Sequence, residues 1–285
     1  MKPGIALITG CSTGIGRELA LQLVARGWTV YAGARRPEAL SDIAGERLIP
    51  LELDVNDGAH IKGCLQRLES DCGRLDMLVN NAGYGAMGPI VEMPLEQMRR
   101  QFETNVYAPL VMAQTLLPLL ERSDAALIVN IGSVSGILTT PFSGAYCASK
   151  AALHSISDAL RMELAPFGIG VLTVQPGGIR SEFGNNAERS LAETLPADSR
   201  YNALRRYIEA RARASQKNGT PTSEFVAQLV RALENPNRPA EVRIGNGSTT
   251  LPLMKRLLPL RRVDRILAKR FGLLAKESAA ESAKA

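Results

Sequence analysis

Tyr146 and Lys150 stand four residues apart in the stretch Tyr146-Cys147-Ala148-Ser149-Lys150. If both lie in the opening turns of a helix, that spacing puts a phenol and an ammonium group on one face. Free tyrosine titrates near ~10, and a neighbouring positive charge favours the phenolate and lowers that value. Such a pair would donate and accept a proton near neutral pH. On these five residues alone, a plain helix start with a surface tyrosine and a solvated lysine is the alternative. The flanks supply the positioning elements. Residues 125–133 are mostly apolar and read as a buried strand ending at Ser133. Ala151 to Ala165 contain no Pro or Gly and read as a long helix.

A second group of residues could hold a phosphate. Gly10-Cys11-Ser12-Thr13-Gly14-Ile15-Gly16 follows the apolar run Ile5–Thr9 and precedes a helical pattern from Arg17 to about Arg26. With the next strand, Trp28–Ala34, this is a βαβ unit of ~30 residues. Its glycines would let the backbone turn tightly near a pyrophosphate, and the helix would offer its first amides to the charge. A purely structural turn is the alternative. After the second strand an acid would bind a ribose 2′-hydroxyl, whereas arginine accommodates a 2′-phosphate. Here Arg35 and Arg36 follow Ala34, with no carboxylate before Glu38. Arg35 is the better placed to pair through its planar fork, so NADP is expected over NAD. A solvated arginine pair opening the next helix is the alternative.

Further candidates sit where other strands end. Asp54 and Val55 close the third, and Asp54 suits an adenine amine. Asn81, Ala82 and Gly83 close the fourth. Pro176-Gly177-Gly178 breaks the sixth, Gly170–Pro176. Asn105 falls within a helical stretch, Leu95–Glu121, where a satisfied core amide is the plain reading.

Strands alternate with helices and are mostly apolar. The expected fold is therefore α/β: a single Rossmann-type, doubly wound, parallel seven-stranded sheet with helices on both faces, over residues 1–250. A looser segment, about 181–222, lies beyond the sixth strand where a substrate cover would sit. Residues 251–285 form a basic amphipathic extension whose end is expected to be disordered. The 285 residues hold no run approaching the ~18 apolar residues of a membrane span. Met1-Lys2-Pro3-Gly4 leads straight into the first strand, leaving no room for a signal peptide. Cys11, Cys64, Cys72 and Cys147 lack metal-like spacing and read as reduced thiols of a cytoplasmic protein. No metal is expected.

The net charge of +6 belongs to the extension. Nine of the 34 Lys/Arg and three of the 28 Asp/Glu follow residue 250, leaving 25 of each before it. A neutral body without an aromatic-studded basic groove argues against nucleic acid as a partner.

Taken in order, Thr9–Gly16, Asp54, Asn80-Asn81-Ala82-Gly83, Asn105, Ser133, Tyr146–Lys150 and Pro176-Gly177 resemble the motifs of the short-chain dehydrogenase/reductase family, across residues 3–250. Ser133 lies thirteen residues before Tyr146, and Asn105 twenty-eight before Ser133, as in that family's catalytic tetrad. The resemblance implies that Tyr146 passes a proton to or from the substrate oxygen while hydride moves to or from nicotinamide. It also implies that Ser133 hydrogen-bonds that oxygen, that Lys150 holds the nicotinamide ribose and lowers the phenol's pKa, and that Asn105 holds a water in the relay. Tyr146 and Lys150 thus count among the coenzyme contacts, with Ile179 and Ser181 beside Pro176 and Gly177. Two departures stand out. Thr13 occupies a position where many NADP-preferring members carry a base, and Ser181 one where Thr is commoner. Within the family the chain resembles the 17β-hydroxysteroid dehydrogenase-like group, near retinol dehydrogenases and acyl-dihydroxyacetone-phosphate reductases. That implies a lipophilic ketone or alcohol as substrate and a homodimer or homotetramer.

A catalytically silent, dinucleotide-sensing regulator is the competing reading, and an intact Ser133–Tyr146–Lys150 set argues against it. In the extension, Leu260, Val263, Ile266, Leu267, Phe271 and Leu274 fall near one helical stripe among bases. Docking of that stripe on the domain or on a partner subunit is expected ahead of contact with an anionic membrane surface. A single Phe and no Trp make a poor interfacial anchor.

Overall fold

Apolar runs of four to seven residues, too short for helices, become the strands of one sheet. These are β1 (Ile5–Ile8), β2 (Thr29–Ala34), β3 (Leu48–Glu52), β4 (Met77–Asn80), β5 (Leu127–Ile131), β6 (Gly170–Pro176) and β7 (Glu241–Ile244). The computed structural model, which describes residues 2–274, pairs all seven in parallel in the order β3-β2-β1-β4-β5-β6-β7. The chain therefore winds outward from β1 in one direction and from β4 in the other. The crevice between those two strands opens at their carboxyl ends, where ligands bind in open α/β sheets.

Alternation along the strands sends side chains into two apolar layers. Ala6 and Ile8 of β1 join a layer with α1 (Gly14–Val24); Leu7 points to the opposite layer with α2 (Gly58–Asp71). The second layer also takes Met112 and Leu116. These come from a region read above as one helix, Leu95–Glu121. The structure divides it into α3 (Leu95–Phe102), a π turn at Glu103–Tyr107 and α4 (Ala108–Leu120). The long helix α5 (Gly144–Leu164) takes in both the Tyr146–Lys150 stretch and the helical pattern read from Ala151, so Tyr146 falls in its first turn.

The cover contains α6 (Glu182–Arg189) and α7 (Arg205–Ala212), and α8 (Thr222–Glu234) returns to the first layer through Phe225 and Leu229. After β7 come α9 (Thr250–Leu257) and α10 (Leu260–Arg270). The extension's stripe is not buried as a whole. Val263, Leu267 and Phe271, spaced by four, enter a third apolar cluster with Leu138, Phe142 and cover residues. Leu260, Ile266 and Leu274 remain exposed. The expected disordered end, 275–285, lies outside the described residues. Among those described, no helix is long and apolar enough to cross a membrane, and all four cysteines are free thiols.

This packing separates two leucines of similar sequence context. Leu267→Ala should cost ~2–3 kcal/mol of unfolding free energy, as buried Leu truncations do. Leu260→Ala, 72% exposed, should stay within ~0.5 kcal/mol. Urea denaturation of the lipid-free protein reads both; equal, small effects would show that α10 does not dock.

Candidate active site

The strand ends bring most of the singled-out residues to one cavity of about 1120 Å³. Gly10, Arg35, Asp54, Asn81, Ser133 and Pro176 each follow or end a different strand, and all line it. Ser12, Thr13, Gly14, Ile15, Val55, Ala82, Gly83, Tyr146, Lys150, Gly177, Ile179 and Ser181 complete the predicted set found there. Arg36, Gly16 and Asn105 are not part of the lining.

The glycine turn is shaped for a close neighbour. Gly10 and Gly14 have φ of 71° and 61°, in the left-handed region that only glycine enters freely. A Cβ on Gly10 would come within 2.9 Å of the Ala82 backbone. Gly16 instead packs inward, where a Cβ would meet the Gly10 carbonyl at 2.6 Å. No side chain caps the start of α1, so its first amides keep their capacity for an anion. The turn is clasped to β4 through Asn81, whose Nδ2 donates to the carbonyls of Thr9 (2.8 Å) and Gly10 (3.1 Å). Thr9 Oγ1 in return accepts from the backbone amides of Asn81 and Ala82, both at 3.0 Å. The Asn81 side chain is thus a clasp between strands.

Lys150 is buried and its Nζ donates to the Ile131 carbonyl at 2.7 Å, at the end of β5. Burial pulls its pKa down to about 8. Tyr146, also buried, departs from the expectation of a lowered pKa. Loss of water pushes the phenol up to about 12. The Ser133 hydroxyl and the Arg211 charge act in the opposite direction without overcoming it. The ammonium expected to act on the phenol is turned towards Ile131. Ser133 lies near enough to draw the phenol's pKa down, while its one well-formed hydroxyl hydrogen bond is accepted from Ser135 N at 3.1 Å.

Asn105 is fully buried in the π turn, a local widening that recurs at functional sites. Its Nδ2 donates to the Tyr84 carbonyl (2.9 Å) and to Ser149 Oγ (3.0 Å), and Oδ1 accepts from Tyr84 N (3.1 Å). Both amide hydrogens are committed to the protein, leaving one lone pair on Oδ1. A Cβ on Gly83 would sit 3.0 Å from that oxygen and 3.6 Å from Lys150 Nζ. Glycine is what allows the chain after β4 to pass between them.

The reading of the sequence missed His154, the residue that supports Ser133. Its Nε2 accepts from the Ser133 amide at 3.3 Å. Burial, then the Lys150 charge, hold its pKa down at about 4, so the ring is neutral at physiological pH with its proton on Nδ1. The available signal was position: His154 is one of two histidines and lies at i+4 from Lys150 on the same helix.

Residues 4–192 match the family model for short chain dehydrogenase. The chain belongs to the short-chain dehydrogenase family. Among its relatives is a 3-ketodihydrosphingosine reductase of Bacteroides thetaiotaomicron, 32% identical over 250 residues covering 86% of this chain and 89% of that one. A short chain dehydrogenase of Burkholderia cenocepacia, solved in complex with NADP, superposes with TM-score 0.72 at 27% identity over 95% of this chain and 98% of that one. A Burkholderia phymatum member solved with NAD gives 0.73 at 26% identity, over 85% and 88%. This short-chain dehydrogenase is accordingly an oxidoreductase of the NAD(P)-using kind acting on small molecules.

The depressed pKa of Lys150 has opposite consequences for activity and stability. Its charged form is present below about 8 and lost as pH rises through that value. Between there and the ordinary lysine range, the unfolded chain binds the extra proton, so stability rises with pH. Catalytic efficiency in the coenzyme-dependent reaction should therefore fall above pH ~8 while the thermal midpoint, measured against Lys150→Met, gains. A flat difference in midpoint across pH 7–10 would refute the buried, proton-losing lysine.

Proposed function

We propose that this short-chain dehydrogenase is an NADP(H)-dependent oxidoreductase that interconverts a carbonyl and a secondary alcohol on a lipophilic substrate, with Tyr146 as general acid and base. One observation carries the reading. The buried Tyr146, Ser133 and Lys150 open on the same cavity as the uncapped helix start and its glycine turn. Their sharing of one space supports a proton transfer beside a bound dinucleotide.

The residues present fit a dinucleotide. The glycine turn and the first amides of α1 would hold its pyrophosphate, Asp54 and Val55 its adenine, and Lys150 its nicotinamide ribose. Ala82 and Gly83 would pass along its length; Pro176, Gly177, Ile179 and Ser181 would border the nicotinamide carboxamide. Arg35 lines the cavity and Arg36 does not, so the 2′-phosphate would fall to Arg35. When bound, the coenzyme supplies or accepts the hydride.

The protein's own groups handle the proton. A phenol held near 12 stays protonated at neutral pH, which suits donation to a carbonyl oxygen during reduction. In the reverse direction the same oxygen must first lose its proton, and charge from Arg211 favours that form, more so once substrate excludes the remaining water. Ser133, held by His154, hydrogen-bonds the substrate oxygen. Asn105, through Ser149 and Tyr84, keeps α5 and the strand β4 loop in register with each other. Beyond Tyr146 much of the wall is apolar: the Phe183 ring centre lies 5.3 Å from that of the tyrosine, and Leu138, Leu267 and Phe271 line the space. That lining supports a lipophilic substrate, in keeping with the sphingoid ketone named for the Bacteroides relative.

Tyr146→Phe should retain NADPH affinity and lose ~10²–10⁴-fold in turnover. Absorbance of NADPH with a panel of aliphatic and cyclic ketones reads the rate, and a variant keeping most of its kcat would remove Tyr146 from the role. Arg35→Ala should lower the NADPH-over-NADH ratio of kcat/KM by ~10–100-fold, as loss of a charge-assisted hydrogen bond implies. An unchanged ratio would mean that Arg35 does not hold the phosphate.

A further inference from the structure

Arg211 is a feature of the cavity that an apolar substrate does not explain. It stands on α7, lines the cavity and is largely buried. Its Nε donates to Thr140 Oγ1 at 2.8 Å, and Thr140 is linked in turn to Ser143 Oγ at 2.8 Å. That is the only hydrogen bond of its side chain to the described residues, so its two terminal amino groups are left for a ligand. Two other arginines of the same segment are paired with acids, Arg213 with Glu188 and Arg200 with Glu92; Arg205 and Arg206, without acidic partners among the described residues, are exposed to water. Arg211 has no such partner among the described residues. The charged or ionisable groups that act on it are the Tyr146 phenol, the Cys147 thiol and a second cation, Arg270. Arg270 is exposed, lines the same cavity and lacks an acidic partner among the described residues.

Two guanidinium groups near one another, one of them largely withdrawn from water, repel each other and lose solvation. Nothing described in the protein compensates. An anion with two oxygens side by side would, because carboxylate and phosphate groups accept the paired N–H donors of the planar guanidinium. The coenzyme is not that anion. Its phosphates are assigned to the glycine turn and Arg35, at the ends of β1 and β2. Arg211 belongs to the cover, whose buried residues cluster with Tyr146 and α10.

We propose that Arg211, with Arg270 at the rim, forms an anion subsite for the substrate, which would be an apolar molecule carrying a carboxylate or phosphate a few bonds from the carbon that is reduced. The inference rests on Tyr146 being the proton donor at that carbon. It narrows the substrate class from a lipophilic ketone to an acidic one, with the chain against Leu138, Phe183, Leu267 and Phe271.

The test separates this subsite from turnover. Isothermal titration of the full-length protein, saturated with NADP⁺, would compare decanoate, decyl phosphate and methyl decanoate. At least one anion should bind ~10–100-fold more tightly than the ester, the range expected of charge-assisted hydrogen bonds. Whichever anion wins identifies the head group. Arg211→Met should bring the ratio close to one, and Arg211→Lys, which keeps the charge without the fork, should keep part of it. Retained NADP⁺ binding shows that each variant is folded, and Arg270→Ala supplies a surface variant that should lower the ratio by a smaller factor. Equal affinities for anions and ester in the unmodified protein overturn the subsite, as does a ratio unchanged in folded Arg211→Met and Arg211→Lys proteins. A parallel assay with NADPH and a keto acid against its methyl ester keeps the two readings apart. Reduction of both at equal efficiency removes the subsite and leaves the oxidoreductase. Selective anion binding without reduction of any ketone removes the oxidoreductase and leaves the subsite.

Discussion

The hydrogen bond from Lys150 Nζ to the Ile131 carbonyl, 2.7 Å long and away from solvent, joins the end of β5 to the second turn of α5. An ammonium group in this position loses most of its hydration, and the drop of its pKa to about 8 measures that loss. Around it the chain is arranged to let it persist. Gly83 leaves room beside Nζ, and Asn105 Oδ1 adds a partial negative charge nearby. Asn105 can face inward there because a π turn replaces the regular helix between α3 and α4. A regular α-helix would place that side chain at a different angle. The geometry of the cavity thus depends on keeping one cation dry and incompletely compensated.

The same economy of buried polar groups runs through the sheet. Asn80 and Asn130 are opposite one another in the β4–β5 register. Asn80 Nδ2 donates to Asn130 Oδ1, Asn130 Nδ2 to Ser157 Oγ, and Ser157 Oγ to the Leu153 carbonyl, at 2.7–2.8 Å. The chain ties two central strands to α5 below the site. Each link leaves a buried group unsatisfied if the register slips, so the network favours one alignment strongly. Asn81 and Thr9 do the same between β1 and β4. Polar clasps, more than apolar packing, place the strand ends that the cavity needs.

Much of this was legible from residue types. Seven apolar runs alternating with helical patterns are enough for a parallel, doubly wound sheet, because only helices on both faces bury such strands. The Tyr146–Lys150 spacing gave the shared helix face for a local reason, the period of the helix. What was not legible was set by tertiary surroundings. The sign of the shift at Tyr146 follows from burial, which no five-residue window contains. The π turn at Asn105 interrupts a pattern that reads as continuous helix. Arg36 adjoins Arg35 in sequence yet leaves the cavity, because successive residues beyond a strand point to different sides. His154 lies two turns beyond Tyr146, and its role shows only when Ser133 is brought against it.

The third apolar cluster is assembled from parts far apart in the chain, and it links the cover to the tyrosine. Phe142, just before α5, is the one non-glycine among the described residues with a left-handed backbone, at φ 62°. Its ring meets Tyr201 of the cover and Phe271 after α10 edge-on, each at 6.1 Å between ring centres. Its carbonyl accepts from Gly88 N at 2.9 Å. A backbone conformation of that kind persists only where surrounding contacts over-determine it. Here the contacts come from both the cover and the extension, and Tyr146 follows one helical turn later. The glycine turn and the first five strands of the sheet come from residues up to Ile131. Position of the Tyr146 phenol, however, depends on the same aromatic contacts that close this side of the cavity. Changes in the cover that suit a new substrate must therefore preserve the support under Phe142, which confines variation to side chains facing the cavity, Arg211 and Phe183 among them.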